Sequence, residues 1–237
     1  MIPLRDENPT ARFGWSTLAL VAANVAVFVW MMSVSTSWWA PMGPQVDAIV
    51  AHLGFVPAAF TADPWSPAVW LTVFTSMFVH AGWLHLGGNM LYLWIFGNNV
   101  EDRLGPLRFV GFYLLCGVVA VLMQWSFSRS SLVPVVGASG AIAGLLGAYL
   151  LLFPRAEILT AIPLVFFFEI ASLPAWIVIG VFFVLQVAQA IVTAGRAGAG
   201  GVAFFAHIGG LLAGMALAAP LAARDRWRRR SYGGRQR

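Results

Sequence analysis

The sequence predicts an all-α polytopic membrane protein built as a bundle of six transmembrane helices. Two observations carry that class. Of 237 residues, 60% are hydrophobic and only 10% charged, where a soluble domain carries about a quarter charged residues. The apolar residues also fall into six runs, each near the roughly 20 residues that cross a hydrocarbon core. So few polar groups cannot cover a surface in water, so the solvent of this chain is largely lipid.

Residues 1–15 read as a short cytoplasmic segment, followed by a membrane domain over 16–222. The first span is placed at 16–34. Its apolar stretch exceeds the 7–15 residues, roughly, of a signal-peptide core, and Trp38-Trp39 after it suit an interfacial belt. The second span, 83–100, is divided from the third, 107–127, by Glu101-Asp102-Arg103-Leu104-Gly105-Pro106. Ser126 to Ser131, with Arg129, follow the third, and Pro154-Arg155-Ala156-Glu157 end the fourth, at 138–153. The stretch 158–173 is apolar but holds Pro163 and Glu169 and leads to Pro174, so it reads either as an interfacial segment or as an early start to the fifth span, 174–193. Gly195 to Gly201, with Arg196, lead into the sixth span at 203–222, and 223–237 form a basic tail.

All fourteen basic residues are arginine. With six spans, both termini share one side, which then carries Arg5, Arg12, Arg103, Arg108, Arg155 and the seven arginines from Arg224 onward, against Arg129 and Arg196 on the other. That asymmetry makes both termini cytoplasmic. The tail (Arg224, Arg226, Arg228, Arg229, Arg230, Arg235, Arg237) anchors the last helix at an anionic leaflet. It is short and has no folded module around it, so no nucleic-acid partner is expected. Cys116 is the only cysteine, which excludes an intrachain disulfide and a cysteine metal cluster. Without an internal repeat, an inverted-repeat transporter gains no support.

The polar residues within the spans fall into a pattern. By parity the second, fourth and sixth helices run from outside to inside. His80, His85 and Asn89 open the second, Ser139 opens the fourth, and His207 lies near the start of the sixth. Three elements therefore bring polar groups to one depth, in the outer leaflet. Pro134 and Gly137 disfavour helix before Ala138, and a helix over 138–153 is roughly 24 Å long at 1.5 Å per residue, short of a core of about 30 Å. Non-helical backbone at that depth is tolerated only against protein or a water-filled cavity, which places Ser139 at the floor of a wet recess. Gly140, Gly144 and Ala148 line one face of the fourth helix, while His207, Gly210 and Gly214 share a face of the sixth. Packing of these small-residue faces brings the imidazole of His207 towards the hydroxyl of Ser139.

A serine hydroxyl becomes a useful nucleophile when a base takes its proton, and neutral histidine suits that task near pH 7. Ser139 begins a helix, so its backbone N–H is a natural donor to an oxyanion. His85 and Asn89, four apart on one face, could add donors. The outer half of the spans holds no aspartate or glutamate, so a third triad member is absent or replaced. Simpler readings exist for each residue: Gly137-Ala138-Ser139-Gly140 as packing, His85 with Asn89 as an interhelical pair. His80 and His85 are five apart where helical metal ligands prefer three or four, so neither a metal nor another cofactor is expected. Glu101 and Arg103 read as an ion-pair network at the turn before the third span.

Taken jointly, these motifs resemble the rhomboid family of intramembrane serine proteases, in particular its bacterial members. The resemblance runs along nearly the whole chain: Met1-Ile2-Pro3-Leu4-Arg5-Asp6-Glu7-Asn8-Pro9-Thr10, His80-Ala81-Gly82-Trp83-Leu84-His85-Leu86-Gly87-Gly88-Asn89-Met90, Phe96-Gly97-Asn98-Asn99-Val100-Glu101-Asp102-Arg103-Leu104-Gly105, Gly137-Ala138-Ser139-Gly140 and Ala206-His207-Ile208-Gly209-Gly210. It implies a six-helix rhomboid bundle with a large first loop at about 35–82. It implies that Ser139 is the nucleophile and His207 the base, with His85, Asn89 and the Ser139 backbone at the oxyanion. It implies an endopeptidase that cleaves single-span or polytopic membrane proteins in or beside their spans, in a bacterial inner membrane. Two positions depart from the pattern. Ala143 stands where many members place an aromatic ring on the catalytic imidazole, and Leu71-Thr72 stand in place of a Trp-Arg pair in the first loop. A non-catalytic relative that retains membrane proteins and an unrelated transporter are the alternatives; intact Ser139 and His207 weigh against the first, and the missing repeats against the second.

Overall fold

The computed structural model describes residues 1–164, 168–193 and 203–233. The loop Gly195–Gly201 with Arg196, and Arg235 and Arg237 of the tail, lie outside the described residues. The fold is mostly helical. Helices α1 (Trp15–Ser33), α5 (Trp83–Leu104), α6 (Pro106–Phe127), α7 (Ser139–Leu152), α8 (Ala175–Thr193) and α9 (Phe204–Gly233) occupy the six apolar runs. Among the described residues, three helices are long and apolar enough to cross a membrane: Trp15–Ser33, Pro106–Phe127 and the Phe204–Arg224 part of α9. A fourth crossing is added if Pro67–Phe78 and Trp83–Leu104, bent by 84° at their junction, count together. Helix α9 continues through the basic stretch from Arg224 to Gly233.

The bundle is organised around α7. It has 14 residues, hence about 21 Å of length, and every residue from Gly140 to Tyr149 is buried. A helix with no polar face, enclosed on all sides, is the inner element of a bundle. Glycines let α9 approach it: a Cβ on Gly210 would collide with the carbonyl oxygen of Gly140, one on Gly214 with that of Gly144, and one on Gly147 with that of Leu211. Gly210 and Gly214 are the expected small-residue face of α9, and Gly147 answers it from α7, while a Cβ on Gly140 or Gly144 would first meet Ala120 or Cys116 of α6.

The first loop is itself helical. Short helices α2 (Pro44–Leu53), α3 (Pro57–Ala62) and α4 (Pro67–Thr75) each open on a proline at the first position, where its missing N–H has no helical partner to lose. An aromatic cluster holds the loop to α6: Phe60 meets Phe55, Trp70 and Trp125 at 5.6, 5.4 and 5.1 Å between ring centroids, and the Arg129 guanidinium lies 4.7 Å over the Trp125 ring. Trp70 and Trp125 thus anchor the loop where Leu71-Thr72 leave no Trp-Arg pair.

One expectation needs correction. The stretch 158–173 is not an early start to α8, which begins at Ala175. It is a hairpin of β2 (Glu157–Pro163) and β3 (Phe168–Pro174), and β1 (Ile2–Asp6) from the N-terminal segment pairs antiparallel with β2 to complete a three-stranded sheet. Ile158 and Thr160 point inward and are fully buried, the two-residue period of a strand. Pro163 and Pro174 sit at strand ends and Pro3 on an edge strand beside a bulge, the positions a sheet tolerates. The bundle is therefore helical with a small sheet at one end. Glu101 reaches the start of α1. Its carboxylate accepts from the N–H of Ser16 at 2.9 Å, and from the N–H and hydroxyl of Thr17, both at 2.8 Å. A buried carboxylate at a helix N-terminus satisfies donors that the helix itself leaves open.

Candidate active site

The position of Ser139 is set by the chain before it. From Ser131 to Gly137 the backbone is non-helical and tied to the first loop: Phe55 and Val135 exchange both backbone hydrogen bonds, the Ala58 N–H reaches Ser131, and the Gly137 N–H donates to the carbonyl of Ser76 at 2.8 Å. Gly137 has φ +114°, a backbone region that side chains rarely enter. Helix α7 then starts, its first internal bond running from the Ile142 N–H to the Ala138 carbonyl. The N–H groups of Ser139, Gly140 and Ala141 thus have no acceptor within the helix. Pro134 and Gly137 stop the helix from starting earlier, which leaves the serine half-exposed at its head.

His207 lies in the first turn of α9. The Ala206 N–H donates to Gln124 of α6 at 3.3 Å, and Phe205 stacks on Phe127 of α6 at 4.0 Å between centroids. With α9 held against α6 and α7, Ser139 Oγ lies 2.7 Å from His207 Nε2, although the two residues are 68 positions apart. His207 is buried.

The remaining predicted residues surround the turn before Ser139. A Cβ at Gly137 would lie 2.7 Å from Nε2 of His85 and 3.7 Å from Nδ2 of Asn89. Asn89 is 7% exposed, and its Nδ2 has no hydrogen-bond partner among the described residues. Such an orphaned donor is costly. His85 Nδ1 accepts from the Ala81 N–H at 3.4 Å, which leaves the proton on Nε2, facing the same turn. His80 is set apart from this group. It precedes α5, is fully buried, and packs its ring 5.1 Å from that of His85. Among the described residues no group of three or more His, Cys, Asp or Glu could hold a metal ion.

Sequence reasoning missed Gln186. The second ring nitrogen of His207, Nδ1, lies 2.5 Å from Gln186 Oε1 on α8, and Phe182, one turn earlier on the same helix, places its ring 6.2 Å from the imidazole. A signal was present: α8 runs opposite to α7 and α9, so an amide near its C-terminal end reaches the depth of Ser139. As a neutral amide, Gln186 carries none of the charge that marks the third member of a triad.

Residues 67–224 match the family model of the Rhomboid domain. The chain is 28% identical over 234 residues to RHOMBOID-like protein 6, mitochondrial, of Arabidopsis thaliana, an alignment covering 90% of this chain and 70% of that one. It is 39% identical over 93 residues to Rhomboid protein 1, mitochondrial, of Saccharomyces cerevisiae, covering 38% of this chain and 27% of the relative. It is 41% identical over 81 residues to Rhomboid protease GluP of Bacillus subtilis, covering 34% of this chain and 15% of the relative. The yeast and Bacillus alignments thus span well under two thirds of those relatives.

Proposed function

Since the chain belongs to the rhomboid family, and is a membrane protein, we propose that it is an intramembrane serine endopeptidase that works through a Ser139–His207 dyad. The observation that carries this reading is the 2.7 Å contact between Ser139 Oγ and His207 Nε2 at the head of α7, beside an Asn89 donor with no partner among the described residues. The name of the Bacillus relative, a rhomboid protease, supports it.

In this reading Ser139 Oγ attacks the carbonyl carbon of the scissile peptide while its proton passes to His207 Nε2. Negative charge collects on the carbonyl oxygen. The Ser139 N–H, Asn89 Nδ2 and His85 Nε2–H lie around the turn where that oxygen would sit, and donors already in place lower the barrier more than donors that must reorient. Collapse breaks the C–N bond, and the leaving amine takes the proton from Nε2. Water, deprotonated by the same imidazole, then attacks the ester carbonyl, returning the proton to Ser139 Oγ as the acid product departs. No metal or other cofactor enters these steps.

The substrates of this reading are membrane proteins, cleaved in or beside a span. Six crossings, formed by α1, α5, α6, α7, α8 and α9, put both termini in the cytoplasm of a bacterium and the dyad towards the outer leaflet. The twelve-to-two arginine distribution supports that orientation. The test is cleavage of a model transmembrane substrate by purified protein in detergent. Wild type cleaves and both Ser139→Ala and His207→Ala do not; cleavage that survives either change sinks the dyad.

A further inference from the structure

We propose that Gln186 is the positioning residue of this site, holding the His207 ring in the one tautomer that can accept from Ser139; this rests on the dyad reading above. The imidazole has two nitrogens and each has one partner. Gln186 Oε1, a carbonyl oxygen, can only accept, so Nδ1 carries the ring proton and donates to it. Nε2 is left with its lone pair towards the Ser139 hydroxyl. A ring free to exchange its proton between nitrogens would spend part of its time with Nε2–H aimed at Ser139, unable to act as base. Phe182 adds an apolar wall on the same side.

The arrangement also explains how the site works with Ala143 behind the nucleophile. Ala143 is buried in α7, one turn after Ser139, and offers no ring to the imidazole. The orienting contact comes from α8 instead. It is neutral, unlike the carboxylate of a Ser-His-Asp triad. Gln186 therefore fixes direction but contributes no charge to the imidazolium formed during catalysis.

Among the described residues, the groups facing His207 are few. Helix α7 supplies Ser139, α5 supplies His85, α8 supplies Gln186 and Phe182, and α6 supplies the amide of Gln124 at the neighbouring Ala206. His85 is the titratable side chain among them, and none is a carboxylate. A carboxylate placed at 186 would be the first anion beside the ring.

The experiment measures kcat, KM and the pH dependence of kcat/KM for Gln186→Leu and Gln186→Glu on the model transmembrane substrate, with Ser139→Ala alongside. Gln186→Leu keeps the side chain's bulk but not its acceptor. It lowers kcat about 10- to 100-fold, the range for metal-bound histidines that lose the partner orienting them, with KM nearly unchanged. Gln186→Glu keeps the acceptor and adds charge. It retains activity at alkaline pH, and the acid limb of its profile moves up by about 1 to 3 pH units, because an anion beside the ring favours imidazolium. A purely structural role would leave that limb in place. If Gln186→Leu fails to fold, the Gln186→Glu profile alone decides. Wild-type kcat in Gln186→Leu, or an unmoved acid limb in Gln186→Glu, overturns the proposal while an inert Ser139→Ala leaves the dyad standing. Cleavage by Ser139→Ala overturns both.

Discussion

Gly210→Ala adds one methyl group at the point where α9 lies on α7. Gly210 follows His207 by three residues, and a Cβ there points into the carbonyl of Gly140, the residue after Ser139. Ordinary contact starts near 3.4 Å, and the methyl falls well inside it, so the two helices must part by about 1 Å or more. The dyad spans that same interface. Its 2.7 Å contact would stretch to roughly 3.7 Å, past the length at which a hydrogen bond survives. A misplacement of about 1 Å costs on the order of 100-fold in rate, and the overpacking itself costs about 1–3 kcal/mol of stability. The assay is cleavage of the transmembrane substrate together with thermal unfolding in the same detergent. Gly180→Ala on α8, where no heavy atom lies within 4 Å of an added Cβ, is the control and should cleave at the wild-type rate. Gly210→Ala with wild-type rate and wild-type unfolding temperature would refute the coupling between helix spacing and the dyad.

Two further outcomes follow from the orphaned amide and the buried carboxylate. Asn89→Ala should lower kcat by about 10- to 1000-fold if Nδ2 serves the oxyanion, measured on the same substrate; an unchanged rate removes Asn89 from the site. Glu101→Ala should destabilise the fold by about 3 kcal/mol, because a buried charged acceptor is lost from the first turn of α1. Unfolding in mixed micelles reads that loss, and a change under about 0.5 kcal/mol, as for an ordinary surface substitution, would show that water replaces the carboxylate.

The helical runs were legible because lipid makes burial uniform: long apolar stretches punctuated by Gly, Pro and Arg have few other uses. The helix starts at Ser139 and at Phe204 lie within a residue of their expected places, since Gly137 and the charged or glycine-rich separators act locally. The sheet was not legible. Ile158 and Thr160 pair with β3 in a hairpin and also with Ile2 to Asp6 from more than 150 positions away, and no local pattern encodes that second pairing. The loop helices were within reach, since Pro44, Pro57 and Pro67 each stand at a first helical position. Ser139, His85, Asn89 and His207 stood out as polar groups at one depth of apolar helices. Gln186 sits at that depth too, but as one of two glutamines on α8 with no charge, its part depends on the direction in which the His207 ring points.

The dyad requires Ser139 to be a nucleophile made reactive by His207. The most direct measurement is covalent labelling of the purified protein with a fluorophosphonate, which bonds to an activated serine hydroxyl and releases fluoride, followed by intact mass and peptide mapping. One adduct on Ser139 is predicted for the wild type, and none for His207→Ala on the same timescale. An adduct on another residue, or equally fast labelling of Ser139 without His207, would contradict it.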